Sequence, residues 1–402
     1  MVGVTLLLVG LLEVAIRVRR AWAERAPAGP PTYVVGDPRK ESWNAEYKRE
    51  FEAARRLNWR SYVYFRRAPI EGKEISVDSM GYRVTPQPTE PAVPVARVRL
   101  FGGSTMWGEP LRAAHTIPAE VARRLQPLAG AGARIDVTNA GETGYVFTQE
   151  VLQLLLDLRA GIRPDLVVFY DGINDVAAAV QRGVAGEPQN EFKRDAEFRL
   201  GRQLEAAGSE SPLQRDVRTA GTLARLLFAR MAIVQWAQAR NAGAPRVYVG
   251  ADSLVASLVR VYEQNARLVE YLAAQYGFVP VYVWQPTLHV SEKQLNPYEQ
   301  QLRTAIESDS FQVRVQQVHQ RVPRLLDSVM RNIAPGRFVD ASGSFKGDTQ
   351  PVFVDRTGHN TENAIPTIVD TFWGVLSRET AHMLLTRSAQ ACLLYTSDAA
   401  DE

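Results

Sequence analysis

The chain has 402 residues, 46% hydrophobic and 23% charged, the composition of an ordinary globular protein with room for one large domain or two smaller ones. A formal net charge of +3, with arginines spread out and no basic stripe interleaved with aromatics, excludes a nucleic-acid partner. A single cysteine, Cys392, excludes an internal disulfide and a cysteine metal site, and none of the five histidines forms an HExxH pair, so neither a zinc hydrolase nor any other metal site is expected.

Residues 2–16, "VGVTLLLVGLLEVAI", are apolar except for Glu13. At about 1.5 Å per helical residue they fall short of a ~30 Å hydrocarbon core, and "RVRR" follows at once. Residues 1–20 therefore read as a short anchor or signal segment, which implies a membrane-anchored or exported chain with its domain outside the cytoplasm. The arginines pull the other way under the positive-inside rule, so the orientation stays open. Residues 21–95 form a linker and N-terminal extension: "APAGPPTYVVGDP" is a Pro/Gly linker, 41–60 suggest a short helix, and 61–95 suggest short strands and turns.

From residue 96 strands and helices alternate. Strands are expected at 97–102, 134–139, 165–170, 278–284 and 337–340. One helix is expected to carry Phe311, Val315, Val318, Val322, Leu325, Val329 and Ile333 on one face, and another, around 251–276, to carry Leu254, Leu258, Tyr262, Val269 and Tyr276. This alternation predicts a mostly parallel sheet covered on both faces. The rhythm breaks over 176–245, which reads as a helical insertion, or cap, after the third strand. Residues 96–385 make up the domain. Residues 386–402, ending "ACLLYTSDAADE", resemble the translated read-through of a sequencing adapter seen at the ends of metagenomic gene models, and read as a non-native tail.

Each of the first three strands runs into a conspicuous loop: Gly102-Gly103-Ser104-Thr105, then Asn139 to Gly144, then Asp171 to Asp175. In a parallel sheet these loops share one edge, where open α/β sheets bind ligands. "VFVDRTGHNTE" follows late in the chain, with Asp355 four residues before His359. Competing motifs fail. "GGSTMWG" lacks the second glycine of a nucleophile elbow, the lysine of a P-loop and the G-x-G-x-x-G of a dinucleotide site, so no cofactor is expected. Asp355, His359 and Glu362 make a poor metal set. His115 and His319 read as structural, His289 as a residue able to line a pocket, and Trp107 and Trp284 as core or pocket wall.

These blocks resemble the SGNH hydrolases, also called the GDSL family. The resemblance covers about residues 96–378, with "GGST" as the nucleophile block, Gly144 in "NAGETGY" as the second, "GIND" (Gly172 to Asp175) as the third, and Asp355 and His359 as the last, in the family's order. It implies a flavodoxin-like three-layer α/β/α sandwich. It further implies Ser104 as nucleophile, His359 as base and Asp355 as its partner, with an oxyanion hole built from Ser104, Gly144 and Asn174. The expected activity is hydrolysis of a small O-acyl (acetyl) ester, including one on a glycan. The alternatives are an O-acyltransferase on a polysaccharide with the same triad and a catalytically silent glycan-binding relative. Two departures stand out: Gly103 occupies the place of the family's Asp, and Asp355 and His359 are four apart instead of three, which leaves Asp348 as an alternative partner. Gly81-Tyr82-Arg83 resembles an upstream segment of some bacterial relatives and reads otherwise as a tight turn.

Overall fold

The computed structural model describes residues 41–90, 93–208 and 249–398. Five strands, β3 (Ala96–Gly102), β4 (Ile135–Asn139), β5 (Leu166–Asp171), β6 (Val279–Trp284) and β7 (Phe338–Asp340), form one parallel sheet in the order β4-β3-β5-β6-β7. Counted along the chain, this is the 2-1-3-4-5 order of a flavodoxin-like sheet. All five strands lie within one residue of their expected positions. Every residue of β5, "LVVFYD", is buried, as a strand covered on both faces requires.

Alternate side chains feed two cores. Phe101, Val167, Phe169 and Tyr282 point to one face, where helices α4 (Phe147–Arg159) and α7 (Ala251–Tyr276) cover them. Leu100, Val168, Tyr170 and Val283 point to the other, covered by α3 (Ile117–Leu125) and α11 (Ile365–Asp398). Removing such side chains from water supplies about 1.5–3 kcal/mol apiece, and it pins the strand register, since a slip of one residue would exchange the faces. Ahead of the sheet lie α1 (Asn44–Ala54) and an antiparallel hairpin of β1 (Leu57–Arg60) and β2 (Tyr64–Arg67).

Three expectations need correction. The helix expected through 311–333 is two, α9 (Ser310–His319) and α10 (Val322–Ile333), because Pro323 has no N–H to continue the ladder and instead opens a new helix. The break resets the phase. Leu326 and Met330 are fully buried, while Leu325 is 46% exposed. Tyr276, placed on the inner face of α7, is 40% exposed at that helix's last turn. Residues 176–182, assigned to the insertion, continue α5 (Ile173–Arg182), which buries Val176 and Ala179 in the first core.

Asn190 begins a second compact unit, whose described part is α6 (Glu191–Gly208). Most of the expected insertion and the apolar N-terminal segment lie outside the described residues. Among the described residues no helix is long and apolar enough to cross a membrane. The backbone of α11 continues helical through Cys392 to Asp398, into the expected tail.

The phase of α10 is directly testable. Leu326→Ala should cost about 2–5 kcal/mol in urea unfolding, the range for a core leucine, and Leu325→Ala less than about 0.5 kcal/mol, as at a surface position. Equal losses would restore the single continuous helix.

Candidate active site

β3 ends at Gly102, and Ser104 opens the four-residue helix α2 (Ser104–Trp107) at the carboxyl edge of the sheet. As the first helical residue, Ser104 has a backbone N–H with no intrahelical acceptor. On the same edge, Phe353 bridges Asn360 and the Val354 N–H donates to the His359 carbonyl (3.0 Å), closing a short loop. Gly358 makes its turn with φ +94°, in the left-handed region that favours glycine.

Within that loop the two oxygens of Asp355 divide their work. Oδ1 accepts from the Thr357 N–H (2.8 Å) and hydroxyl (2.7 Å), while Oδ2 lies 2.6 Å from His359 Nδ1. His359 Nε2 lies 2.7 Å from Ser104 Oγ. The carboxylate thus selects the tautomer with the proton on Nδ1 and leaves the Nε2 lone pair facing the serine. Burial pushes the Asp355 carboxyl up, but the hydrogen bond and charge of His359, aided by Thr357, outweigh it and hold it well below the usual carboxylate range. Burial pushes the His359 ring down, yet the hydrogen bond and charge of Asp355 win and leave it above the ordinary 6.5. Spacing of four therefore brings Asp355 onto the ring. Asp348 instead caps its own turn, accepting from the Gln350 N–H (2.7 Å).

The remaining expected residues meet at the same place. Asn174 Nδ2 donates to the Tyr145 carbonyl (2.9 Å), and Asn174 Oδ1 accepts from Gln189 Nε2 (3.0 Å), which fixes the orientation of the amide. Next to it, Asp175 Oδ1 accepts from the Phe147 N–H (3.0 Å), so the third block holds the chain just after Gly144. Gly144 itself sits at φ +78°. The departure at Gly103 has a steric cause, because a Cβ there would lie 2.1 Å from Asn174 Nδ2. Glycine lets the Asn174 amide lie directly against the turn that precedes the serine.

Ser104, Gly144, Asn174 and His359 open onto one cavity of about 330 Å³. Its wall includes Thr143 of the second loop and Phe311, together with Glu109, Gln181, Gln189 and Gln312, four residues that the sequence did not mark, since isolated polar residues carry no pattern. His289 lines it as expected, with Nε2 2.7 Å from Gln312 Oε1, and burial lowers its pKa. His319 is fully buried, and burial drives its pKa down to about 3. Trp107 and Trp284 are core. Glu362 pairs with Arg112 at 2.6 Å, and among the described residues no group of three His, Cys, Asp or Glu is placed to hold a metal ion.

No protein-family model matches the sequence, and none of the curated proteins does. Among solved structures the chain is similar to an alpha/beta hydrolase enzyme from the metagenome of Lake Arreo, Spain, at 16% identity and a TM-score of 0.36, over 73% of this chain and 97% of that one. It is similar to an acetylxylan esterase from Geobacillus stearothermophilus at 15% identity and a TM-score of 0.37, over 71% of this chain and 94% of that one. It is also similar to TesA, at 14% identity and a TM-score of 0.35, over 70% and 99%. Likenesses at such TM-scores carry no weight for function, which is left to the geometry.

An NMR pH titration of the histidine rings checks the relay. The His359 midpoint should lie above 6.5 and fall in Asp355→Asn, where burial is left without its counterweight. An unchanged midpoint in the variant would show that the carboxylate does not act on the ring.

Proposed function

We propose that the chain is a serine esterase of the SGNH type that hydrolyses small O-acyl esters, acetyl groups on a glycan among them. The observation that carries the reading is the unbroken relay at the cavity mouth, 2.7 Å from Ser104 Oγ to His359 Nε2 and 2.6 Å from His359 Nδ1 to Asp355 Oδ2. A serine hydroxyl is a poor nucleophile until a base takes its proton. In this reading Nε2 accepts that proton as Oγ attacks the ester carbonyl, and Asp355 stabilises the imidazolium formed. Negative charge develops on the carbonyl oxygen, where the N–H groups of Ser104 and Gly144 and the Asn174 amide supply donors. As the tetrahedral intermediate collapses, His359 returns the proton to the leaving alcohol. The same base then draws a proton from water, whose oxygen attacks the acyl-serine; the acyl–Oγ bond breaks, His359 returns the proton to Ser104 Oγ, and the acid leaves.

A cavity of about 330 Å³ lined by Gln181, Gln189, Gln312 and Phe311 supports a small acyl group on a neutral, hydroxyl-rich alcohol. Amides pair with hydroxyls as donors and as acceptors. The apolar N-terminal segment supports a domain exported and held at a membrane.

Ser104→Ala and His359→Ala should each leave a folded protein and lower kcat on p-nitrophenyl acetate by several powers of ten, because the two act as a unit. Asp355→Asn should lose less. Near-wild-type turnover by Ser104→Ala would end the serine mechanism. Only the neutral imidazole accepts a proton, so activity should rise with pH through a midpoint above 6.5.

Gly103→Ala tests the amide. The added methyl displaces Asn174, and kcat should fall about 100-fold, the effect of losing one oxyanion donor, with KM nearly unchanged. A wild-type kcat would remove Asn174 from the reaction.

A further inference from the structure

We infer that residues 57–83, ahead of the sheet, are a working part of the site: Arg66, Arg67 and Arg83 are positioning residues for the loop that carries Gly144 and the turn that carries Ser104. The inference rests on the esterase reading above.

Arg66 is 1% exposed, and its guanidinium donates to the carbonyls of Ala140 (2.9 Å) and Gly141 (3.1 Å). Arg67 grips the next two residues. Its backbone N–H donates to Glu142 Oε2 (3.2 Å), its Nε pairs with Glu142 Oε1 (3.3 Å), and its Nη2 donates to Thr143 Oγ1 (2.5 Å). The Tyr145 hydroxyl donates to the Phe65 carbonyl, and Gln149 Nε2 donates to the Val63 carbonyl (3.1 Å). Residues 140–143 and 145, on both sides of Gly144, are thus held from the hairpin.

Arg83 serves the other loop. Its Nη1 donates to the carbonyls of Trp107 (3.1 Å) and Gly108 (2.7 Å), and its Nη2 to those of Leu111 (2.7 Å) and Glu74 (2.9 Å). Trp107 closes the four-residue helix that Ser104 opens, and carbonyls at a helix end have no partner of their own.

Stability alone does not account for this arrangement. Burying an ion forfeits its hydration, and apolar packing of the same volume is often as stable. Three buried guanidiniums directed at two short loops instead fix where those loops sit. A planar fork reaches two carbonyls at once, which a lysine ammonium does not. The required accuracy is high, since a shift of about 1 Å in a catalytic group costs on the order of 100-fold in rate.

The test uses Arg66→Lys, Arg67→Lys and Tyr145→Phe, with Arg55→Ala, an exposed arginine just ahead of that segment, as control. Sites are counted by exhaustive labelling with a fluorophosphonate, and kcat per labelled site and KM are measured on p-nitrophenyl acetate. Both lysine variants should lose about 10- to 100-fold in kcat per site with KM nearly unchanged. Tyr145→Phe, which buries no unpaired charge and so keeps the fold, should lose several-fold in the same way, and Arg55→Ala nothing. A purely structural role would lower the number of labelled sites and the melting temperature while each remaining site turned over at the wild-type rate, and that result overturns the inference. Should the lysine variants fail to fold, wild-type kcat per site in Tyr145→Phe overturns it equally. If the wild type is not labelled on Ser104, the esterase reading fails and the inference with it.

Discussion

Parallel pairing of β3 with β4 on one side and β5 on the other is the constraint on which the rest depends. The register sets Leu100 beside Asn139 and Gly102 beside Tyr170, so three strands end close together and their loops open at one edge. The second loop is bonded back to the first strand, with the Ala140 N–H on the Leu100 carbonyl (2.8 Å) and the Glu142 N–H on the Gly102 carbonyl (2.9 Å). The sheet therefore places Ser104, Gly144 and Asn174 within reach of each other before any side chain is chosen. The late loop brings His359 to the same edge across 255 residues of sequence.

Close approach then does what side chains alone do not. Missing a Cβ, Gly103 admits the Asn174 amide, and Gln189 and the Tyr145 carbonyl hold that amide in one orientation. Charge is arranged with similar economy. On the extension side, arginines are spent on loop carbonyls. Beneath the third block, Glu150, Asp171 and Asp175 are buried together, and burial raises all three carboxyls, Asp175 to about 6. Asp355 and His359 stand apart from both groups as a pair whose shifts oppose: the carboxylate is held ionised and the ring is made a stronger base.

Much of this was legible in the sequence, because it rests on local signals. Buried parallel strands read as apolar runs such as "LVVFYD", and glycine-rich turns with polar residues mark strand ends. Order in the chain placed the four blocks, and the turn chemistry of "DRTGH" made a spacing of four workable, with Thr357 and Gly358 folding Asp355 back. What the sequence hid was tertiary. The apolar period across 311–333 masked the break that Pro323 imposes, although the proline was the available signal. Adjacent arginines in "YFRRAP" resemble any solvated pair, and nothing local tells that Arg66 and Arg67 are buried against the Gly144 loop. The glutamines of the cavity wall come from three separate helices and loops, and no spacing rule joins them.

The most direct test of the central claim is acid quenching of the protein during turnover of p-nitrophenyl acetate, followed by peptide mass spectrometry. The account predicts one acetyl group, on Ser104, present in the wild type and absent in His359→Ala. Continuing ester hydrolysis with Ser104 unmodified, or an acetyl group carried by another residue that persists in Ser104→Ala, would contradict it.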